Sequence, residues 1–177
     1  GTTQSATETG IYTFGPYPFL TDIIISVAND QDVNCVINSD AIQLFACPPA
    51  NDNCNGAITL IANADENCTE SGSGTLVAAT PSNEPNECGG TDDDDVWFEF
   101  VAVSENHAIS LYNITGDTAD LYHVLYEGDD CNDLSQIYCS DANESVASGL
   151  TIGQTYNIRV YSFTANELQN STFDICI

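Results

Sequence analysis

One stretch constrains this chain more than any other: residues 91–100, which read TDDDDVWFEF and contain the only tryptophan, Trp97. Four consecutive aspartates run directly into an apolar, aromatic segment. Bare carboxylates cannot be buried in an apolar core, and the segment that follows them is too apolar to lie in water. The junction must therefore lie at an edge where a packed β core meets solvent or a cation.

The charge balance limits the partners of the chain. There are 27 acidic residues against one basic residue, Arg159, and the formal net charge is -26 at pH 7. Nucleic acids and anionic membrane surfaces are bound through Lys and Arg, so both are excluded as electrostatic partners. No apolar run reaches the length of a membrane span, and we expect no membrane insertion. The acidity favours divalent cations, cationic polymers or a salty medium that screens self-repulsion.

The eight cysteines are spread along the whole chain. They form no CxxC pair, and neither His107 nor His123 stands at the spacing of a zinc site. We therefore expect disulfides formed in an oxidising compartment. Cys131 and Cys139 flank a short polar loop and are the best local pair. Spacing does not determine connectivity, and the working hypothesis adds Cys35–Cys47, Cys54–Cys68 and, by remainder, Cys88–Cys176.

Short β-branched and aromatic runs between turn clusters predict an all-β chain. Residues 1–47 hold too few strands to close a core, so we expect them to be the C-terminal part of a longer β domain. The Pro-Pro and Asn-Asp-Asn sequences predict a linker at 48–53. Residues 54–177 hold at least seven short strands, of which 155–162 alternates most clearly. This pattern predicts a β-sandwich of jelly-roll-like type.

Several sequence blocks in the second domain occur in a familiar order. They are Ala50–Cys54 (ANDNC), Asp94–Phe100 (DDVWFEF), Asp120–Gly128 (DLYHVLYEG), Gly149–Tyr156 (GLTIGQTY) and Phe173–Ile177 (FDICI). Together they resemble the pre-peptidase C-terminal-like (PPC-like) β-sandwich modules of large secreted Bacteroidota surface proteins. The front part, from Thr9–Pro16 through Ala46–Pro49, resembles the tail of an Ig-like repeat that precedes such modules.

The resemblance implies a multi-domain secreted or cell-surface protein exported by the type IX secretion route. It implies accessory or adhesive duty rather than chemistry. The sequence departs from the usual pattern at Asp129-Asp130, before Cys131, where Gly or Ser is common. This departure leaves an additional cation site open.

The aspartate run is the candidate calcium site. Ca²⁺ is bound by about six to eight oxygen atoms, and Gly89-Gly90 supplies flexible backbone before the carboxylates. Adjacent residues of an extended segment point in opposite directions, so at most two of the four aspartates can share one ion. The alternative is a solvated charge cluster. The candidate ligands are Asp92, Asp93, Asp94, Asp95, Asp129 and Asp130, with Asp133 and Asp141 as further carboxylates in neighbouring loops.

Nothing in the sequence demands catalysis. Gly72-Ser73-Gly74 lacks the frame of a nucleophile elbow, and the cysteines are expected in disulfides. His123 alternates with leucines and is predicted to be a core or edge residue, whereas His107 is predicted to face solvent. Acid pairs suited to glycoside hydrolysis are always available among 27 acidic residues, so their presence carries no weight. We predict that the protein is not an enzyme.

The tyrosines on the strands have two interpretations. They either form a sugar-stacking platform or fill half-buried strand faces with their hydroxyls at the rim. The tyrosines concerned are Tyr122, Tyr126, Tyr138, Tyr156 and Tyr161.

The segment Asp117-Thr118-Ala119 fits the short Asp-Thr-small pattern that the resembled bacteria use for O-glycosylation. Thr118 is therefore a candidate site of O-glycosylation.

Three functions fit these observations. The first is a structural and adhesive repeat module of a secreted adhesin or extracellular filament, whose partners are neighbouring domains or subunits of the same surface protein. The second is an accessory module that binds extracellular polysaccharide or another polymer. The third is a filament subunit whose open front half is completed by a strand from the next subunit. Calcium is the one cofactor that the sequence suggests.

Overall fold

The chain folds into strands that belong to two separate units. The computed structural model describes residues 1–18, 20–43, 45–128, 130–165 and 169–177, except for the side chain of Val33. The units are residues 1–46 and 47–177. Within the described residues the helical segments are two short 3₁₀ turns, Cys54–Gly56 and Cys131–Asp133. No helix in this part of the chain is long and apolar enough to cross a membrane.

The first unit is built on a single hairpin. Strands β1 (Ser26–Asn29) and β2 (Asp32–Asn38) pair antiparallel, and one isolated bridge joins Ile23 to Ile42. Apolar side chains of the hairpin face solvent: Val27 is 65% exposed and Ile37 is 73% exposed. None of the unit's described residues is buried. Two strands alone are marginally stable in water, and the residues described in this unit form no packed core of their own.

The second unit is a sandwich of two sheets. The strands are β3 (Ile58–Leu60), β4 (Gly72–Thr75), β5 (Val96–Val101), β6 (Asn106–Thr115), β7 (Leu121–Glu127), β8 (Ser135–Ser140), β9 (Glu144–Ser148), β10 (Thr155–Ser162) and β11 (Thr172–Cys176). The five-stranded sheet has the order β3-β5-β10-β7-β8, in which only the β3–β5 pair is parallel, and the antiparallel four-stranded sheet has the order β4-β11-β6-β9. The all-β sandwich prediction is confirmed.

The inner faces of the two sheets enclose the main core. Alternate residues of β5 and β10 point inward, as the period-two pattern predicts, and each fully buried large apolar side chain contributes about 1.5–3 kcal/mol. Phe173 on β11 fits because its neighbour across the β4–β11 pair is Gly74, where a Cβ would lie 2.3 Å from the ring. The core residues that the two central strands, β5 and β10, contribute are Val96, Phe98, Phe100, Tyr156, Ile158 and Val160.

The outer face of the five-stranded sheet is buried as well. Residues 80–92, called here the covering segment, lie across it. The Tyr126 hydroxyl donates to the Pro85 carbonyl at 2.7 Å, and the Tyr161 hydroxyl donates to the Gly89 carbonyl at 2.7 Å. Beneath the segment Trp97 is completely buried beside Tyr126. The unit therefore has a third layer, made of loop rather than of regular structure.

Three disulfides hold these layers, and the expected pairing is wrong. The bonds observed are Cys54–Cys131, Cys68–Cys176 and Cys88–Cys139. Instead of the predicted Cys131–Cys139, Cys54–Cys68, Cys88–Cys176 and Cys35–Cys47 pairs, the three bonds join distant segments, and Cys35 and Cys47 are free and exposed.

The physical reason for the pairing lies in the covering segment. Cys139 is not at the end of a loop, because it lies within β8 at the edge of the five-stranded sheet. The covering segment passes over this edge and brings Cys88 to it. Cys131 lies in one 3₁₀ turn, and its disulfide partner, Cys54, lies in the other. Bonds that close long loops restrict the unfolded chain and stabilise a fold by about 2–4 kcal/mol each.

The predicted linker at 48–53 ends earlier than expected. Asn51 is buried and donates from Nδ2 to the Trp97 carbonyl at 2.9 Å, while the Trp97 amide donates to the Asn51 carbonyl at 2.8 Å. Asp52 accepts from the amide of Thr80 at 2.6 Å and from its hydroxyl at 2.7 Å. Asn51 and Asp52 therefore belong to the packed second unit, where they fix the start of the covering segment.

Candidate functional site

The last aspartate of the run, Asp95, is buried and fully partnered. Its carboxylate accepts from the Trp97 indole Nε1 at 2.9 Å, and from both the amide of Ser82 at 2.9 Å and its hydroxyl. The guanidinium of Arg159 lies 2.5 Å away through Nη2. A buried carboxylate needs this kind of complete pairing to remain charged. The junction therefore does meet a cation, and that cation is a side chain of the protein.

Arg159 is the only basic residue of the chain, and it is 0% exposed. It projects from β10 on the outer face, opposite Trp97 of β5 in the strand register. Its guanidinium carbon lies 5.7 Å from the ring centroids of Trp97 and Tyr161, within the range of cation–π attraction. Burial disfavours the charged form, but the pairing with Asp95 outweighs it and the pKa of Arg159 is raised. Nη1 also donates to the Glu84 carbonyl of the covering segment at 3.3 Å.

Asp94 points to the opposite side of the chain, where it is also buried. Its two carboxylate oxygens accept from the amide of Ser162 at 3.0 Å and from its hydroxyl at 2.8 Å. Burial raises the pKa of Asp94 to about 6, although the hydrogen bonds from Ser162 act in the lowering direction. The neighbouring charges of Asp93 and Asp95 add to the increase. Asp94 therefore ties the start of β5 to the end of β10.

The first two aspartates are closer to solvent. The Asp92 side chain is 40% exposed, lies 3.0 Å from Nη2 of Arg159 and accepts from Asn86 Nδ2 at 3.1 Å. Asp93 is half-buried, and its Oδ1 has no hydrogen-bond partner among the described residues. Asp92 and Asp93 are thus the members of the run whose carboxylates are least occupied by the protein.

The carboxylates proposed from the loops have other roles or positions. Asp130 is exposed and accepts from the amide of Asn132 at 2.9 Å and from its Nδ2 at 2.8 Å, which caps the second 3₁₀ turn and lowers the pKa of Asp130. Asp129 lies outside the described residues. Among the residues that are described, no three His, Cys, Asp or Glu side chains are grouped in a way that could hold a metal. Calcium binding by the run stays a prediction.

Both histidines are buried. His123 points into the sandwich as predicted, its Nε2 lies 2.6 Å from the Ser145 hydroxyl of the other sheet, and burial lowers its pKa to about 4. The prediction that His107 faces solvent is wrong. Its Nε2 accepts from the amides of Val103 and Ser104 at 3.1 Å each, so it closes the turn that leads into β6. Neither ring serves as an exposed acid or base.

The tyrosines do not form one exposed platform. Tyr126, Tyr156 and Tyr161 are buried, whereas Tyr122 and Tyr138 are only half-buried. The filling of strand faces is thus the interpretation that fits three of the five.

The O-glycosylation candidate, Thr118, is half-buried. Its hydroxyl accepts from the amide of Asp120 at 3.0 Å. Modification of Thr118 stays a prediction.

An open polar cleft lies further along the outer face, beyond the end of the covered region. Glu99 of β5 and Asn157 of β10 face each other in the strand register, and the Thr59 hydroxyl donates to Glu99 Oε1 at 2.7 Å. Asn157 is only 6% exposed and donates from Nδ2 to the Gly128 carbonyl at 3.2 Å. The cleft volume is about 540 Å³. Its lining residues are Cys54, Asn55, Ala57, Glu99, Gly128, Asp130, Cys131, Thr155 and Asn157.

A second groove, of about 450 Å³, lies against the four-stranded sheet and is bordered by the Cys68–Cys176 disulfide. Two of its polar side chains, those of Asn63 and His107, are held by hydrogen bonds within the protein. Nδ2 of Asn63 donates to the Glu70 carbonyl at 2.8 Å and to the Ile177 carbonyl at 3.0 Å, and His107 accepts two backbone amides.

Sequence reasoning missed both the Arg159–Asp95 pair and the polar cleft. A signal for the pair was present: a lone arginine in a strand of apolar and aromatic residues must find an acid if that strand is buried. For the cleft the signal was weaker. Glu99 and Asn157 are polar interruptions at outward positions of the two most apolar strands, but their juxtaposition depends on the register between them.

The fold and its three disulfides indicate the class of protein. A two-sheet β-sandwich held by disulfides between distant loops is typical of domains that function outside the cell. Residues 50–175 match the family model described as galactose binding domain-like and associated with the type IX secretion system (T9SS). The chain belongs to this family. No curated protein matches the chain.

The family match supports part of the expected resemblance. It supports a T9SS-associated β-sandwich, but it is not specific to the PPC-like modules. Galactose-binding-like domains are typically non-catalytic, and the match indicates a carbohydrate-binding or structural module.

Proposed function

We propose that residues 47–177 form a non-catalytic module that binds neutral carbohydrate and belongs to a secreted or cell-surface protein. The observation that carries this proposal is membership of the galactose binding domain-like family across residues 50–175. The place of the module outside the cell is supported by the T9SS association and by the three disulfides.

The charge of the protein narrows the ligand class. At a formal net charge of -26, anionic polysaccharides are repelled over the whole surface, more strongly at low ionic strength. The only basic side chain is buried against Asp95 and has no access to a ligand. Neutral or cationic sugars therefore suit this module better than uronate-rich or sulfated ones.

Binding of the full chain to a panel of immobilised polysaccharides tests the proposal. Neutral galactans, glucans and mannans are compared with polygalacturonate and a sulfated galactan, at low and at near-physiological salt. We expect retention on at least one neutral polymer at both salt concentrations. Absence of binding to every neutral polymer would reject the proposed binding of neutral carbohydrate and leave the structural role.

A structural and adhesive role is the second candidate, and a specific observation of the first unit favours it. Its hairpin leaves Val27, Ile37 and other apolar side chains exposed, and within the described part of the unit both outer strand edges pair with no further strand. A strand from a neighbouring domain or subunit would bury such a surface. Light scattering after size-exclusion chromatography measures this role: association that disappears when residues 1–46 are removed supports it, and a monomer at all concentrations contradicts it.

A further inference from the structure

The polar cleft combines fixed side chains with unused acceptors. Glu99 is held by the hydroxyl of Thr59, and Asn157 is held by the Gly128 carbonyl, so both project from central strands in set positions. Within the described part of the chain, the remaining oxygens, Glu99 Oε2 and Asn157 Oδ1, accept no hydrogen bond. A row of strand-borne acceptors of this kind is preorganised, which lowers the cost of ordering on binding.

The chemistry of the row points to a ligand that donates hydrogen bonds. A carboxylate and an amide oxygen both accept from hydroxyl groups, and Thr155 adds a hydroxyl that both donates and accepts. A hydrogen bond to a charged acceptor is among the stronger ones. The cleft volume of about 540 Å³ lies within the range of about 300–1,000 Å³ for small-molecule sites. A sugar ring with several hydroxyls has the matching donors.

The same residues disfavour an anionic sugar. Glu99 and Asp130 both line the cleft, and no Lys or Arg does. A ligand carboxylate or sulfate placed there would meet like charges without a counter-ion, in a partly desolvated site where such repulsion is weakly screened.

We infer that the polar cleft is a binding subsite for a neutral sugar, with Glu99 and Asn157 accepting hydrogen bonds from its hydroxyls. This inference rests on the proposed carbohydrate-binding function and locates it. It assigns to Glu99 a further role as a specificity determinant, because its charge excludes uronic acids from the subsite.

Nuclear magnetic resonance of the full ¹⁵N-labelled chain tests the inference. Galactose, glucose and mannose are each titrated beside the corresponding uronic acid, which differs by one carboxylate. We expect a neutral sugar to shift the amide signals of Gly128 and Asn157, and the matching uronic acid to bind at least about tenfold more weakly.

Variants in the polar cleft and on the four-stranded sheet distinguish loss of the binding site from a general effect on the fold. Asn157→Ala is expected to weaken neutral-sugar binding about tenfold, since one hydrogen bond to the ligand is lost. Glu99→Gln is expected to narrow the difference between a sugar and its uronic acid several-fold. Glu144→Gln, an exposed substitution on the four-stranded sheet, is the matched control and should change neither quantity. Amide spectra without ligand verify that each variant is folded.

The outcomes distinguish the subsite from the function. Sugar binding that shifts residues around the second groove and ignores the Glu99 and Asn157 variants would overturn the subsite and leave the proposed function intact. Failure of every monosaccharide and every polymer to bind would overturn both. Shifts at the cleft with CaCl₂ alone, and none with sugar, would identify a cation site there and reject the sugar assignment.

Discussion

The outer face of the five-stranded sheet carries two acidic regions only a few residues apart on the same strands. Near the start of β5, Asp95 faces Arg159 of β10 under the covering segment. Further along, Glu99 faces Asn157 in an open cleft. In the first region every carboxylate oxygen of the buried aspartate is used by the protein, while in the second an oxygen on each side chain is left over. The run of four aspartates is the more conspicuous feature of the sequence, but Glu99 is better placed to bind a ligand.

Breaking the Arg159–Asp95 pair should have the largest effect on the molecule. Arg159→Met leaves a buried carboxylate without its counter-ion, and losses of about 3–5 kcal/mol in unfolding free energy are typical of such changes. Urea unfolding measures the loss. The double variant R159M/D95N, which removes both charges, should recover part of it. Equal loss in the single and double variants would mean that packing against Trp97 dominates, not charge.

Acidification should reveal two opposing contributions. The pKa of Asp94 is raised from 3.8 to about 6, so its contribution to stability is fully present below pH 3.8 and is lost as pH rises through 6. The pKa of His123 is lowered from 6.5 to about 4, so its contribution is present above pH 6.5 and is lost as pH falls through 4. Between pH 4 and 6 the two changes largely cancel.

Single variants should reveal the separate contributions of Asp94 and His123 to the pH dependence of stability. In Asp94→Asn, stability relative to the wild type should fall on going from pH 6.5 to 4, by about 2 kcal/mol at most. In His123→Gln it should rise over the same interval. Thermal melts at pH 4, 5, 6 and 7 measure both. Parallel curves for the wild type and Asp94→Asn would refute a raised pKa at Asp94.

Substitutions in the cleft should barely affect stability. Glu99 is half-buried and makes one hydrogen bond, to an exposed threonine, so Glu99→Gln should change the unfolding free energy by about 0.5 kcal/mol or less. The informative quantity is the difference between this loss of unfolding free energy and the loss caused by Arg159→Met. A large loss from Glu99→Gln would make the cleft a structural element instead of a ligand site.

Chelation should have the smallest effect. Asp94 and Asp95 are already occupied by Ser162, Ser82, Trp97 and Arg159, so we expect EDTA to shift the midpoint of thermal unfolding by about 1 °C or less. A clear increase with CaCl₂ that is abolished by replacing Asp92 and Asp93 with asparagine would instead establish the predicted ion at the exposed half of the run.

Strands with a clear alternation of apolar and polar residues were predictable from the sequence. Thr155–Ser162 forms a strand where the pattern places it. Two other segments were not predictable. Gly72–Thr75 has the composition of a loop, but it forms β4 because Phe173 needs the space beside Gly74. Ser135–Ser140 has the polar composition of a loop. It forms β8 at the edge of the five-stranded sheet, where polar side chains can face solvent.

The candidate sites depend on contacts that local sequence does not carry. The aspartate–tryptophan junction was located correctly as an edge of the core, but its partner, Arg159, is 64 residues from Asp95. The disulfides likewise join residues 51 to 108 positions apart. Both depend on the covering segment crossing the outer face, and no period in residues 80–92 indicates that a polar loop will serve as a packed layer.

The Cys68–Cys176 bond has a mechanical consequence. A pulling force applied between Cys47 and Ile177 runs from Cys176 directly to Cys68 and back along the chain to Cys47. Residues 69–175, which include β4 to β10 and all of β11 except Cys176, lie outside this covalent path. Tension along the chain can therefore displace residues 47–67, which include β3, while β4 to β10 lie outside the loaded path. Under oxidising conditions, the extension of this unit under load is limited by a bond rather than by its hydrogen bonds.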